Sequence, residues 1–255
     1  MDDRIKEGDF VLIYFNEKRR YLIRVGKTSY NFNEGIVKSS DIIGKDYGSK
    51  GTTHLGEEYV LIKPSIIDII YKGFKRKTQV IYPKDAALII LKTGIGPGYR
   101  VVEAGAGSGY LTALLAYHVR PNGKVYAYDI RRDFINLAAE NLAKAGLSSY
   151  VIFKERDIRE GIDEREIDAA ILDLPSPWLA LSNAFKALRH GGTLACFIPT
   201  INQVEKTVEK AFEEGFVAVE TIELMERSYK VKSGETRPFQ RMIGHTGYMV
   251  FARKP

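Results

Sequence analysis

Residues 101–109 read Val101-Val102-Glu103-Ala104-Gly105-Ala106-Gly107-Ser108-Gly109, and Tyr110-Leu111-Thr112-Ala113-Leu114-Leu115-Ala116 follow directly. The apolar start fits a buried strand of a parallel sheet, and the apolar run after Gly109 fits a helix. Glycines at 105, 107 and 109 take three β-carbons out of the turn between them. A ligand there can lie directly on main-chain N–H groups at the helix N-terminus; the alternative is a tight strand-to-helix turn that binds nothing. The spacing Gly-x-Gly-x-Gly, with no lysine, fits neither the dinucleotide fingerprint nor the phosphate-binding P-loop. A second strand, Lys124-Val125-Tyr126-Ala127-Tyr128-Asp129, ends in an acid about 20 residues past the last glycine, where a doubly wound fold places the carboxylate that holds a ribose diol.

Working outward, the βα alternation continues. A helix over residues 132–145 is closed by Gly146, strands follow at 150–154 and 167–172, and a helix over 179–188 leads through a Gly191-Gly192 turn to a strand at 193–198. Asn202, with Glu205 three residues on, predicts a capping box for a helix to residue 213, and strands at 216–222 and 248–252 complete the sheet. Ahead of the glycine loop, Pro83 starts a helix in Tyr82-Pro83-Lys84-Asp85, which places Tyr82 at the helix start. A tyrosine there fits a core or interface position, or one that stacks on a base. The expected fold is α/β, a doubly wound, mostly parallel seven-stranded sheet, over residues 64–255.

Residues 1–63 read differently. An apolar run at 10–15, the charged break Asn16-Glu17-Lys18-Arg19-Arg20 and a second run at 21–25 form a β-hairpin, and short extended pieces at 35–37 and 59–62 follow. This small N-terminal β-domain carries no nucleophile or phosphate loop, and its expected role is recognition or oligomer contact.

Composition narrows the class. With 45% of its 255 residues hydrophobic, the chain has enough for a proper core. No apolar run approaches a membrane span, and the start carries no apolar leader. The single cysteine, Cys196, lies in an apolar run and has no disulfide partner, so a cytoplasmic protein is expected. The four histidines show no metal-ligand spacing, and no metal is expected. Residues 227–255 hold seven basic residues (Arg227, Lys230, Lys232, Arg237, Arg241, Arg253 and Lys254) and one acid, Glu235, which accounts for the whole net charge of +6. That stretch is either a polyanion-facing surface or a solvated face.

Four acids fall at or just after predicted strand ends: Glu103, Asp129, Asp157 and Asp173. All should face one crevice. Asp173 opens Asp173-Leu174-Pro175-Ser176-Pro177-Trp178. Asp173 has two readings: a carboxylate that accepts from an amine of a bound substrate, and an aspartate capping a proline turn.

With Glu103 leading in, the loop resembles the E-x-G-x-G-x-G motif of class I S-adenosylmethionine-dependent methyltransferases. Adding Gln79-Val80-Ile81-Tyr82-Pro83-Lys84-Asp85, Tyr128-Asp129-Ile130-Arg131, Asp173-Leu174-Pro175, Arg237-Pro238 and His245-Thr246-Gly247-Tyr248, nearly the whole chain resembles the TrmI-type tRNA (adenine-N1)-methyltransferases, particularly archaeal ones. The resemblance implies a Rossmann-like fold and methylation of adenine N1 in the tRNA T-loop, at position 58 and in some archaeal members also 57, by a homotetramer. It implies that Gln79, Glu103, Gly105, Gly107, Ser108, Gly109, Asp129, Ile130, Asp157 and Asp173 hold S-adenosylmethionine. Asp173 would also bind the target amine, and Tyr82 would pack on the target base. Lys230, Lys232, Arg237 and Arg241 would grip tRNA phosphates. Other readings are a class I methyltransferase acting on protein isoaspartate or a corrinoid precursor, and a non-catalytic tRNA-binding subunit.

Overall fold

The computed structural model describes residues 4–255. The chain splits into two compact units, one up to Phe74 and the other from Lys75 onward.

The first unit holds β1 (Phe10–Asn16), β2 (Arg19–Arg24), β3 (Ser29–Phe32), β4 (Gly35–Lys38), β5 (Lys50–Thr52), β6 (Glu58–Ile62) and the helix α1 (Ile66–Gly73). β1 and β2 form the expected antiparallel hairpin in a sheet ordered β2-β1-β6-β5, and β3 pairs with β4 alone. Val11, Ile13, Val37, Tyr59 and Leu61 form its core. α1 starts with a reciprocal cap: Ser65 Oγ accepts from Asp68 N (3.2 Å), and Asp68 Oδ2 accepts from Ser65 N (3.0 Å). The helix then packs on β2. For that reason the unit runs past the boundary expected at Lys63 and ends after Phe74.

The second unit holds α2 (Pro83–Thr93), β7 (Arg100–Ala104), α3 (Tyr110–Val119), β8 (Lys124–Asp129), α4 (Arg132–Lys144), β9 (Val151–Glu155), β10 (Ile167–Leu172), α5 (Leu181–Ala187), β11 (Leu188–Ile198), α6 (Ile201–Glu213), β12 (Val217–Glu223), the short pair β13 (Tyr229–Lys230) and β14 (Arg237–Pro238), and β15 (Tyr248–Arg253). Seven strands form one sheet, ordered β12-β15-β11-β10-β7-β8-β9. β15 runs antiparallel to both its neighbours, while β9, β8, β7, β10 and β11 run parallel. This is the expected doubly wound sheet. The chain steps outward from β7 to β8 and β9, then returns to β10 on the other side of β7. Such a switch point opens a crevice at the carboxyl ends of β7 and β10.

Two local expectations fail for identifiable reasons. α5 stops at Ala187, because Leu188 already pairs with Ile167; the register then slips so that Thr193 faces Ala169, which turns Gly191-Gly192 into a bulge within β11. The cap of α6 is Thr200 rather than Asn202: Thr200 has extended dihedrals, and its hydroxyl donates to Gln203 Oε1 (2.6 Å). Cys196 lies near the C-terminal end of β11, fully buried, and burial pushes its thiol pKa up.

Candidate active site

The crevice is closed by main-chain contacts. Asp173 N donates to Ala104 O (2.9 Å), which brings the turn after β10 against the glycine loop. Gly105 has φ +92°, and a Cβ there would stand 2.1 Å from the Asp173 carbonyl oxygen. Gly109, at φ +80°, is the N-cap of α3, and its Cβ would meet the Ala138 Cβ at 2.9 Å. No side chain fits at either position. Asp129 braces the loop from β8: Oδ2 accepts from Gly107 N (2.9 Å) and Oδ1 from Arg131 N (2.9 Å).

Gly105 borders two adjoining cavities. One is lined by Asp129, Ile130, Asp157, Ile158 and Pro175; the other by Gln79, Glu103, Gly107, Ser108 and Asp173. Apart from Gly109, the N-cap of α3, the expected cofactor residues each line one or other of these two cavities. Asp157 is already engaged, since both its oxygens accept from Arg159 Nε (2.9 Å each), and these bonds hold its carboxyl below the usual range. Glu103 is 1% exposed, and burial pushes its pKa up to about 8. Its Oε2 has no hydrogen-bond partner. An unpartnered buried carboxylate oxygen beside main-chain amides fits a ligand that brings an ammonium group, as the amino-acid end of S-adenosylmethionine does. Burial also raises Asp173, to about 7.

Two of the expected ligands also bond to neighbouring segments. Ser108 Oγ accepts from Lys77 N (3.1 Å) and Thr78 N (3.3 Å), and so ties the segment ahead of α2 to the glycine loop. Gln79 Oε1 accepts from Arg76 Nη2 (2.6 Å). One residue was missed: Asn141, fully buried on α4, donates to Lys75 O (2.8 Å) and Ser108 O (3.0 Å) and accepts from Lys75 N (3.0 Å). It holds both edges of the cradle. Its signal was an amide on the apolar stripe made by Leu137, Ala138 and Leu142.

Tyr82 lines a different cavity from Asp173, together with Arg227, Phe239, Arg241 and Met242. These partners come from an excursion, residues 224–247, that leaves the sheet after β12 and returns at β15. Lys230 and Lys232 both pair with Glu235 (3.1 and 2.9 Å), whereas Arg237 and Arg241 are exposed with no carboxylate partner among the described residues.

A family model described as "tRNA methyltransferase complex GCD14 subunit" matches residues 68–236, well over half of the chain. The chain belongs to this tRNA methyltransferase family. It is 38% identical to the tRNA (adenine(57)-N(1)/adenine(58)-N(1))-methyltransferase TrmI of Methanocaldococcus jannaschii, over 96% of this chain and 95% of that protein. Among solved structures it resembles the tRNA (m1A58) methyltransferase TrmI of Aquifex aeolicus (TM-score 0.85, 36% identity, 99% of both chains). It also resembles an S-adenosylmethionine-dependent O-methyltransferase of Thermotoga maritima (TM-score 0.91, 38% identity, 99% of this chain and 95% of that one).

Within this tRNA methyltransferase, the segments 82–85 and 245–248 touch each other: Thr246 Oγ1 donates to Asp85 Oδ2 (2.8 Å). No helix among the described residues is long and apolar enough to cross a membrane. Among them, no group of three or more His, Cys, Asp or Glu side chains is placed to hold a metal ion.

Proposed function

We propose that the protein methylates N1 of adenine in the tRNA T-loop, at position 58 and, like its M. jannaschii relative, at 57. The donor is S-adenosylmethionine, whose sulfonium supplies an electrophilic methyl group. The observation that carries the reading is Asp173, a carboxylate pinned to Ala104 at the switch point and sharing a cavity with the orphaned Glu103 oxygen.

Glu103 and the amides of the glycine loop hold the amino-acid end of the donor, and Asp129, Ile130 and Asp157 line the adenosine end. Asp173 accepts from the exocyclic amine of the target adenine. As the ring gains positive charge, that hydrogen bond strengthens, which lowers the barrier without removing a proton from N1. Tyr82 stacks on the target or a neighbouring base. A T-loop adenine has to leave its stack to reach the cleft, and Arg237 and Arg241 hold the phosphates while it does.

We assign the first unit to recognition. Its groove, lined by Arg20, Tyr21, Asn31, Phe32 and Lys72 with Tyr21 stacked on Phe32 (4.6 Å, 23°), supports this. A cytoplasmic homotetramer is the proposed working form, supported by the exposed apolar side chains Met225, Val231, Met242 and Ile243 of the excursion; sedimentation analysis tests it.

The deciding experiment is methyl transfer from labelled donor to unmodified tRNA, followed by nucleoside analysis. We expect 1-methyladenosine in the T-loop. A labelled nucleoside other than 1-methyladenosine would overturn the reading.

A further inference from the structure

Lys84, with a side chain only 10% exposed, lies in the first turn of α2. Its Nζ donates to Asp85 Oδ1 (2.6 Å), to Leu224 O (2.6 Å) and to Thr246 Oγ1 (2.7 Å). Three ammonium protons thus meet three acceptors. The Thr246 hydroxyl, having accepted from Lys84, donates onward to Asp85 Oδ2 (2.8 Å), and Asp85 is fully buried. Leu224 and Thr246 are the two feet of the 224–247 excursion. A second contact ties the same feet together: the His245 ring places Nδ1 2.6 Å from Glu223 Oε1 and Nε2 2.9 Å from Pro199 O. The helix to which both feet are pinned begins at Tyr82.

We propose that Lys84, Asp85 and Thr246 act as a positioning clamp for RNA, fixing both feet of the 224–247 excursion to the start of α2. The clamp sets Arg227 and Arg241 opposite Tyr82 across the cavity that all three line. Its chemistry explains why the cluster is ionic. Apolar side chains of similar size would often hold two segments together equally well, whereas a saturated set of directional bonds admits a single register.

The proposal rests on the tRNA-methylating function above, and the test separates the two. Thr246→Val keeps the shape and removes the hydroxyl that both accepts and donates; Lys84→Met removes the charge; Thr246→Ser keeps the hydroxyl. For Thr246→Val, which loses two buried hydrogen bonds, we expect KM for tRNA to rise roughly tenfold, and for Lys84→Met, which loses three, at least as much. The turnover at saturating tRNA and the affinity for S-adenosylmethionine should stay near those of the unaltered protein. Trypsin should cut faster within residues 225–243 in both, and Thr246→Ser should restore KM and protection together. An unchanged KM with unchanged cleavage overturns the clamp. A loss of donor affinity and turnover in step with a lowered Tm also overturns it, since that pattern marks a purely structural cluster. If the unaltered protein methylates no tRNA, the functional reading falls, and the cleavage pattern alone decides whether the joint exists.

Discussion

The glycine cradle and the 224–247 excursion both border the short segment that leads into α2, yet they are built in opposite ways. The cradle is made of main chain: three glycines at positive φ, at each of which an added Cβ would stand within about 3 Å of a neighbouring atom, braced by Asp129 and Asn141. The excursion presents side chains: Val231 is 80% exposed, Tyr229 53% and Phe239 54%, and its regular structure is two residue pairs of β13 and β14. A methyl donor is one small molecule with one shape, and a rigid backbone mould suits it. A folded RNA is a large charged surface, and long cationic side chains follow it at little cost in precision. Errors in the cradle should therefore be severe and specific, and errors in the excursion graded and salt-dependent.

The hardest test of that contrast is Gly105→Ala. The added methyl meets the Asp173 carbonyl and the backbone keeps a conformation that alanine resists, so affinity for S-adenosylmethionine should fall about a hundredfold or more in titration calorimetry. A modest loss would mean that the loop yields. Asp173→Asn should cut turnover by about two to three orders of magnitude while the fold and donor binding survive. It should also remove a pH limb: with the carboxyl near 7 in the free protein, kcat/KM should rise with pH through that value as the acceptor ionises, and the Asn variant should lack this rise.

On the other side, Arg237→Glu with Arg241→Glu should raise KM for tRNA and lower the slope of log affinity against log salt by about two. Lys230→Ala with Lys232→Ala should do less, because both lysines already face Glu235. Equal effects would indicate that these ion pairs break on binding. The donor-free protein carries a pH dependence of its own. Glu103 and Asp173 have folded pKa values of about 8 and 7, raised above unfolded values of about 4. Their contribution is complete below pH 4 and is lost as pH rises through 7 to 8, so Tm should fall between pH 5 and 8. Bound S-adenosylmethionine should reduce the fall, and a Tm that climbs over this range would contradict the burial of Glu103.

The same contrast governs what could be read from sequence. The loop at 105–109, the acids at strand ends and the βα rhythm are local signals, and each fell where expected. The domain boundary did not, because α1 reads as a connector until its packing on β2 is seen. The cap of α6 slipped by two residues, since Asn202 and Thr200 are both competent caps and only backbone dihedrals choose between them. Ser108 and Gln79, ligand contacts on the resemblance, line the second cavity while their side chains also bond to neighbouring segments. The pairings of Asn141 and of the Lys84–Thr246 joint are not legible in the sequence, because the partners lie 66 and 162 residues away and no local pattern carries such pairing.

Cys196 offers a last consequence. It is the one thiol in the chain, fully buried on β11, the strand between β10 and β15. A thiol reagent can reach it only when the sheet opens, because loosening of the exposed excursion leaves those three strands paired. The molecule thus carries a built-in clock. Its rate of labelling reports how often the central sheet comes apart, with no competing signal from any other sulfhydryl, and a bound methyl donor should slow that clock in proportion to how tightly it is held.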